Sequence, residues 1–91
     1  MENQQEGSAN KTARTKKPKS PEVVKLANRI KELRIKKGYT NYEYFAYEHN
    51  ISRSQFGRYE AGEDLRYTSL MKVIKALGVT PVEFFSEGFN D

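Results

Sequence analysis

The 91-residue chain contains no cysteine and only one histidine, His49. Without cysteine it has neither a disulfide framework nor a thiolate metal site. A lone histidine with no cysteine beside it cannot build a metal-ligand cluster, so no metal and no cofactor is expected. No apolar run approaches the roughly 18 residues of a membrane span, and no membrane partner is expected. The opening stretch MENQQEGSANKTARTKKPKS lacks the apolar centre of a signal peptide. Together with the absence of cysteine, this fits a reducing, cytoplasmic compartment. A phosphate-cradling glycine loop, a cysteine nucleophile and a Ser or Asp partner for His49 are all missing, so the chain reads as a non-enzyme.

What is present is basic charge, unevenly placed. The net charge is +4 at an isoelectric point near 9.4. Residues 1–20 carry five Lys/Arg against two Glu (+3), residues 21–80 eleven against seven (+4), and residues 81–91 three acids and no base (−3). Excess positive charge on the tail and main body suits a polyanionic partner such as nucleic acid.

Length allows one small domain. Residues 1–19 contain no Val, Ile, Leu or aromatic side chain. They cannot bury enough surface to offset their ordering entropy and read as a disordered basic tail. Its KTARTKKPK portion either lies along a nucleic-acid backbone, as basic arms do, or serves only solubility. Residues 20–91 then form the domain.

Five short helices and no strand are expected. The first runs through SPEVVKLANRIKELRIKKG, with Ser20 as N-cap, Pro21 in the first turn and Gly38 as the stop. Val23, Leu26, Ala27, Ile30 and Leu33 recur at helical spacing and mark its buried stripe. The second runs through TNYEYFAYEHN, capped by Thr40 or Asn41, with Phe45 and Ala46 facing the core and Asn50 able to take the left-handed conformation that ends it. Ser52 caps the third after only about three connecting residues, a spacing that fits a steep helix-turn-helix crossing. EDLRY reads as a loop, and TSLMKVIKALG as a fourth helix burying Leu70, Val73, Ile74 and Leu77. In TPVEFF, Thr80 and Glu83 form a capping box around Pro81, opening a fifth.

The third helix, SRSQFGRYEAG (52–61, stopped by Gly62), is polar and holds a glycine at its centre, which costs about 1 kcal/mol relative to alanine. At about 100° per residue, Phe56 and Tyr59 fall side by side as the buried contacts. Ser54, Gly57, Arg58 and Ala61 lie opposite, flanked by Arg53 and Gln55. Small residues there would let the backbone approach a groove wall. Arginine can donate two parallel bonds to guanine O6 and N7, and Ser and Gln suit other base edges. A solvated face with an incidental glycine is the plainer alternative.

At these residues the chain resembles a known family. GYTNYEYFAYEHNISRSQFGRYEAG is similar to the helix-turn-helix core of the XRE (Cro/CI phage-repressor-like) DNA-binding regulators, through Arg34, Gly38, Asn41, Phe45, Ala46, Asn50, Ile51, Ser52, Glu60 and Gly62 in order. LRYTSLMKVIKALGVTPVEFF extends the likeness, which covers about residues 26–85. The resemblance implies an all-α, five-helix, lambda-repressor-like domain with helix 52–61 in the major groove of double-stranded DNA. Base readers would be Arg53, Ser54 and Gln55, with Gly57 and Arg58 one turn on. Tyr42 would touch a phosphate, and Arg34 and Glu60 would be a structural pair. Arg66 is a further expected phosphate contact. The chain would bind as a homodimer.

Three positions depart from the family pattern. His49 stands where an apolar core residue is usual; a partly buried histidine with a hydrogen-bond partner is expected, with stability sensitive to pH near neutrality. Glu63 and Asp64 put negative charge where loops near DNA are usually basic, so they either point away or lower affinity. Tyr42 replaces the usual Gln or Ser but keeps a hydroxyl donor.

A second function class stays open. Tyr39, Tyr42, Tyr44 and Tyr47 crowd the second helix, and Phe84, Phe85 and Phe89 exceed what one short helix needs for its own burial. They fit either the domain core, a homodimer surface, or an antitoxin-like module that binds a partner protein. Base stacking by the tyrosines and RNA binding through the basic tail are further, weaker readings.

Overall fold

The computed structural model describes residues 20–90. Its elements are α1 (Pro21–Lys36), α2 (Tyr42–Glu48), α3 (Arg53–Glu60), α4 (Tyr67–Ala76) and α5 (Pro81–Phe84), with no strand among the described residues. The basic tail of residues 1–19 lies outside them, so its expected disorder is left aside.

Each start except one follows from a cap. Ser20 Oγ accepts from Glu22 N at 3.2 Å, and Asn41, rather than Thr40, accepts from Glu43 N and Tyr44 N at 2.8 and 3.0 Å. Ser52 accepts from Gln55 N at 3.3 Å, and Thr80 from Glu83 N at 3.1 Å. The exception is α4. It begins at Tyr67 with Arg66 in the N-cap position, and no side chain there bonds its first turn. The loop expected over EDLRY therefore gives up its last residue to the helix. Asn50 adopts φ 57°, and its carbonyl accepts from Lys72 Nζ at 3.0 Å. That bond fastens the α2–α3 turn to α4.

One core unites the five helices. It is built from Ile30, Leu33, Phe45, Ala46, Ile51, Phe56, Leu70, Val73, Ile74, Leu77 and Phe84, with Leu26, Tyr59 and Phe89 packed at its edge. Phe45, Phe56 and Phe84 are completely buried, and the first two rings meet at 5.2 Å. Burying each such ring contributes about 1.5–3 kcal/mol. Tyr59 is only half-buried, so Phe56 alone anchors α3 in the interior.

Three further findings bear on the expectations. Arg29, which no reading of the sequence singled out, is 4% exposed. Its Nε donates to the Phe84 carbonyl at 2.7 Å, and a terminal nitrogen donates to the Glu83 carbonyl at 2.9 Å. The guanidinium thus satisfies the closing carbonyls of α5 and ties α5 to α1. His49 is half-buried as expected, but its Nε2 is buried with no hydrogen-bond partner among the described residues. The ring is wedged against Phe45 at 4.5 Å and Tyr39 at 6.0 Å instead. The surplus phenylalanines divide. Phe84 belongs to the core, whereas Phe85 is 43% exposed and leans on Phe89 at 4.8 Å; Val82 of α5 is 82% exposed.

Candidate nucleic-acid interface

The outward face of α3 is open to solvent. Arg53, Ser54, Gln55 and Arg58 are exposed and Gly57 is half-buried. The helix is held from below by Phe56 and from one side by Arg34 and Glu60. Arg34 Nε donates to Glu60 Oε2 at 2.7 Å, and a terminal nitrogen to Oε1 at 3.0 Å. The remaining terminal nitrogen donates to the Tyr39 carbonyl at 2.6 Å. The two side chains are only 5% and 7% exposed. A planar guanidinium matched to a carboxylate through two parallel bonds fixes distance and orientation together. The end of α3 is thereby locked to α1.

Gly57 has a different neighbour from the one its place on the helix wheel implied. A Cβ at this position would lie 3.0 Å from both Cε1 and the hydroxyl of Tyr42. The room left by the missing side chain is occupied by the Tyr42 ring, which stacks on Phe56 at 6.3 Å and 27°. A close approach of helix backbone to a groove wall is therefore not what Gly57 offers directly. It seats Tyr42 across α3, with the phenol oxygen over the outward face.

The expected site residues gather around two shallow concavities that share Arg58. One, of about 440 Å³, is lined by Tyr42, Ser54, Gly57 and Arg58 with Lys31 and Arg34 behind them. The other, of about 410 Å³, is lined by Gln55, Arg58 and Arg66 with Glu63 and Asp64. Arg53 lines neither and sits exposed on the first turn of α3. Ser54 Oγ lies 3.2 Å from the Ser52 hydroxyl, so the cap and the adjoining side chain share a hydrogen bond.

Near the site, Lys31 went unnoticed in the sequence and Glu63 has a partner that the sequence reading did not name. Lys31 is exposed and borders the Tyr42 concavity. Its signal was available, since it falls four residues after Ala27 and three before Arg34, on the flank of the buried stripe. Glu63 was noticed only as unfavourable charge. Its carboxylate lies 3.7 Å from Arg58 Nε, with the two side chains 58% and 52% exposed. The other acid of the pair, Asp64, turns back on the chain and accepts from Leu65 N at 2.8 Å.

Electrostatics on the far side of α2 are set by Glu48. The Tyr39 hydroxyl donates to it at 2.6 Å, and this donor, followed by Tyr44, holds its carboxyl below the usual range. The same bond holds the phenol of Tyr39 above its usual value, and Glu48 does the same to Tyr44. Neither Tyr39 nor Tyr44 lines the two concavities around Ser54 and Arg58. Tyr44 and Tyr47 are 55% and 72% exposed. Among the described residues no group of His, Cys, Asp or Glu is placed to hold a metal ion. None of their helices is long and apolar enough to cross a membrane.

Comparison with known proteins places this geometry. The family model described as helix-turn-helix matches residues 30–84. Among solved structures, a point mutant of the restriction-modification controller protein C.Esp1396I, in a trigonal crystal form, is 34% identical. The match covers 74% of this chain and 89% of that one, with a TM-score of 0.67. The same controller protein, solved as a tetramer in complex with its natural 35 base-pair operator, is 32% identical. That match covers 70% and 84% of the two chains, with a TM-score of 0.63. No curated protein sequence matches.

Proposed function

The chain belongs to the helix-turn-helix XRE (Cro/CI phage-repressor-like) family of DNA-binding transcriptional regulators, and we propose that it acts as one by docking α3 in the major groove of duplex DNA as a homodimer. The observation that carries this reading is the solvent-open polar face of α3 on a helix held from behind by Phe56 and the Arg34–Glu60 pair. A reading surface must be rigid to discriminate bases, because each base contact depends on the placement of a single side chain. Arg53, Ser54, Gln55 and Arg58 are the base-reading side chains in this proposal. Tyr42, seated by Gly57, offers its hydroxyl to a phosphate. Arg66 does the same at the first turn of α4, whose N–H groups no side chain caps and which favours an anion. The tail lysines add sequence-independent attraction to the backbone.

The controller protein C.Esp1396I, which is bound as a tetramer to its own operator, supports multiple copies acting on one DNA. A two-fold dimer would read half-sites about one helical turn apart, roughly 34 Å. The exposed Val82 and Phe85, beside the partly covered Phe89, supply an apolar surface for pairing. In this reading the protein works in the cytoplasm and needs no catalysis.

Selection from random duplex DNA tests the proposal. Enrichment of a symmetric motif with that half-site spacing is expected. Recovery of unenriched sequence at every salt concentration would sink it. The second reading, a module that binds a partner protein, is favoured by one observation, the exposed tyrosine face of α2. Stoichiometric co-purification of a partner, with no sequence enriched in the selection, would be its signature.

A further inference from the structure

The C-terminus of α3 closes with a specific pattern of backbone bonds. Glu63 N donates to the Arg58 carbonyl at 3.0 Å, and Gly62 N donates to the Tyr59 carbonyl at 3.2 Å. Gly62 sits at φ 95°, in the left-handed region that a glycine enters without strain. This is a Schellman closure, in which the residue after the glycine is brought alongside the residue five before it. Such a pair is frequently apolar. At the end of α4 it is: Val79 N reaches the Ile74 carbonyl at 3.5 Å, and Val79 packs against the core that holds Ile74. At the end of α3 the corresponding pair is Arg58 and Glu63, both charged and both in water.

We propose that Glu63 is a positioning residue for Arg58, set in place by the Gly62 turn so that Arg58 presents an oriented guanidinium edge to a guanine. The proposal rests on the regulator reading above. The contact runs from the carboxylate to Nε, at 3.7 Å. No ion pair or hydrogen bond to the two terminal nitrogens of Arg58 is present among the described residues. Those are the nitrogens that can meet O6 and N7 of guanine in parallel. An unbuttressed arginine on a helix surface samples many rotamers and loses that freedom on binding, whereas a held one has less to lose. In free protein the pair is exposed, so Glu63 biases the rotamer of Arg58 without freezing it. Once a base edge covers it, the local dielectric falls and the attraction strengthens. Glu63 therefore has a reason to sit beside a polyanion. Its charge lowers affinity for any phosphate backbone while sharpening the response to one base. Asp64, bonded to its own backbone neighbour, takes no part.

The test measures dissociation constants at fixed salt for the full chain, on three duplexes. These are the selected operator, an unrelated duplex, and the operator altered at the base pair where Arg58→Ala relaxes preference. In Glu63→Ala and Glu63→Gln the operator-to-unrelated affinity ratio should fall by about tenfold, as for one weakened bidentate contact. The loss should appear at the same base pair as in Arg58→Ala, while affinity for the unrelated duplex rises. In the Arg58→Ala background, Glu63→Ala should leave the ratio unchanged. Glu63→Asp, which withdraws the carboxylate by one carbon, should fall between parent and Gln. If Glu63→Ala instead tightens binding to all three duplexes by one factor, Glu63 is a repulsive charge only and the positioning role is overturned. A ratio that falls further in the Arg58→Ala background would overturn it too. Failure of the regulator reading has a different signature, since the parent itself would then select no sequence. Unchanged melting temperatures of the Glu63 variants show that the fold is not what moved.

Discussion

Two arginine–glutamate pairs meet the C-terminal half of α3, and they differ in almost everything but composition. Arg34 and Glu60 face inward, bond at 2.7 and 3.0 Å, and are nearly excluded from water. Arg58 and Glu63 face outward, stand 3.7 Å apart and are each more than half exposed. The inner pair has lost its hydration and must keep every bond it makes. The outer pair keeps its hydration and is free to exchange water for a ligand. Burial, not charge, assigns one to the scaffold and leaves the other on the proposed reading surface.

The contrast can be broken most severely from the inside. Glu60→Ala leaves Arg34 charged and buried with its main acceptor gone, and should destabilise the fold by about 3–5 kcal/mol. Chemical denaturation measures this directly. The double replacement Arg34→Met with Glu60→Leu should recover much of that loss, because no uncompensated charge remains. A single mutant that melts like the parent would put the inner pair in the same class as the outer one.

Arg58→Ala breaks the other side. It should leave the denaturation midpoint within experimental scatter yet remove about 1–3 kcal/mol of base discrimination, read as competition between operator and altered duplexes. Equal discrimination by mutant and parent would take Arg58 off the reading surface.

His49 sharpens the inner half of the comparison, as a buried polar atom that lacks what Arg34 has. Replacing it by leucine removes a buried nitrogen that has no partner among the described residues and should raise stability by about 1–2 kcal/mol. A loss of stability on thermal melting would mean that the ring contributes more through Phe45 and Tyr39 than its bare nitrogen takes away.

The smallest effect lies at Glu48, an exposed acid with donors. Its folded-state carboxyl is held low by the Tyr39 hydroxyl first and by Tyr44 next. A depressed carboxyl contributes stability above the ordinary glutamate value and loses it as pH falls through the folded one. Glu48→Gln should therefore flatten the acid-side slope of stability in that window, leave the slope near neutrality as it was, and make the protein slightly less stable there. An unaltered slope from pH-dependent melts would show the Tyr39 bond to be without consequence.

Much of the fold was legible because it rests on local rules. Ser20, Asn41, Ser52 and Thr80 are caps by their own chemistry, and Leu70, Val73, Ile74 and Leu77 fall on one stripe by spacing alone. Arg29 was invisible for the opposite reason. Beyond Glu32 one turn on, its partners include carbonyls more than fifty positions away, and a charged residue on an apolar stripe carries no sign of them. His49 misled in a related way, since a half-buried ring predicts a hydrogen bond only if some neighbour supplies one. Gly57 was read as open surface because wheel geometry knows one helix at a time and Tyr42 arrives from another.

Helix positions, caps and the face of α3 that points outward were settled by the order of residues, because each depends on neighbours within one or two turns. Which charges would be dry, where the Tyr42 ring would rest, and which carbonyls Arg29 would satisfy were settled only when the helices packed. Desolvation and long-range contact are properties of the assembled core, and no short window of sequence contains them.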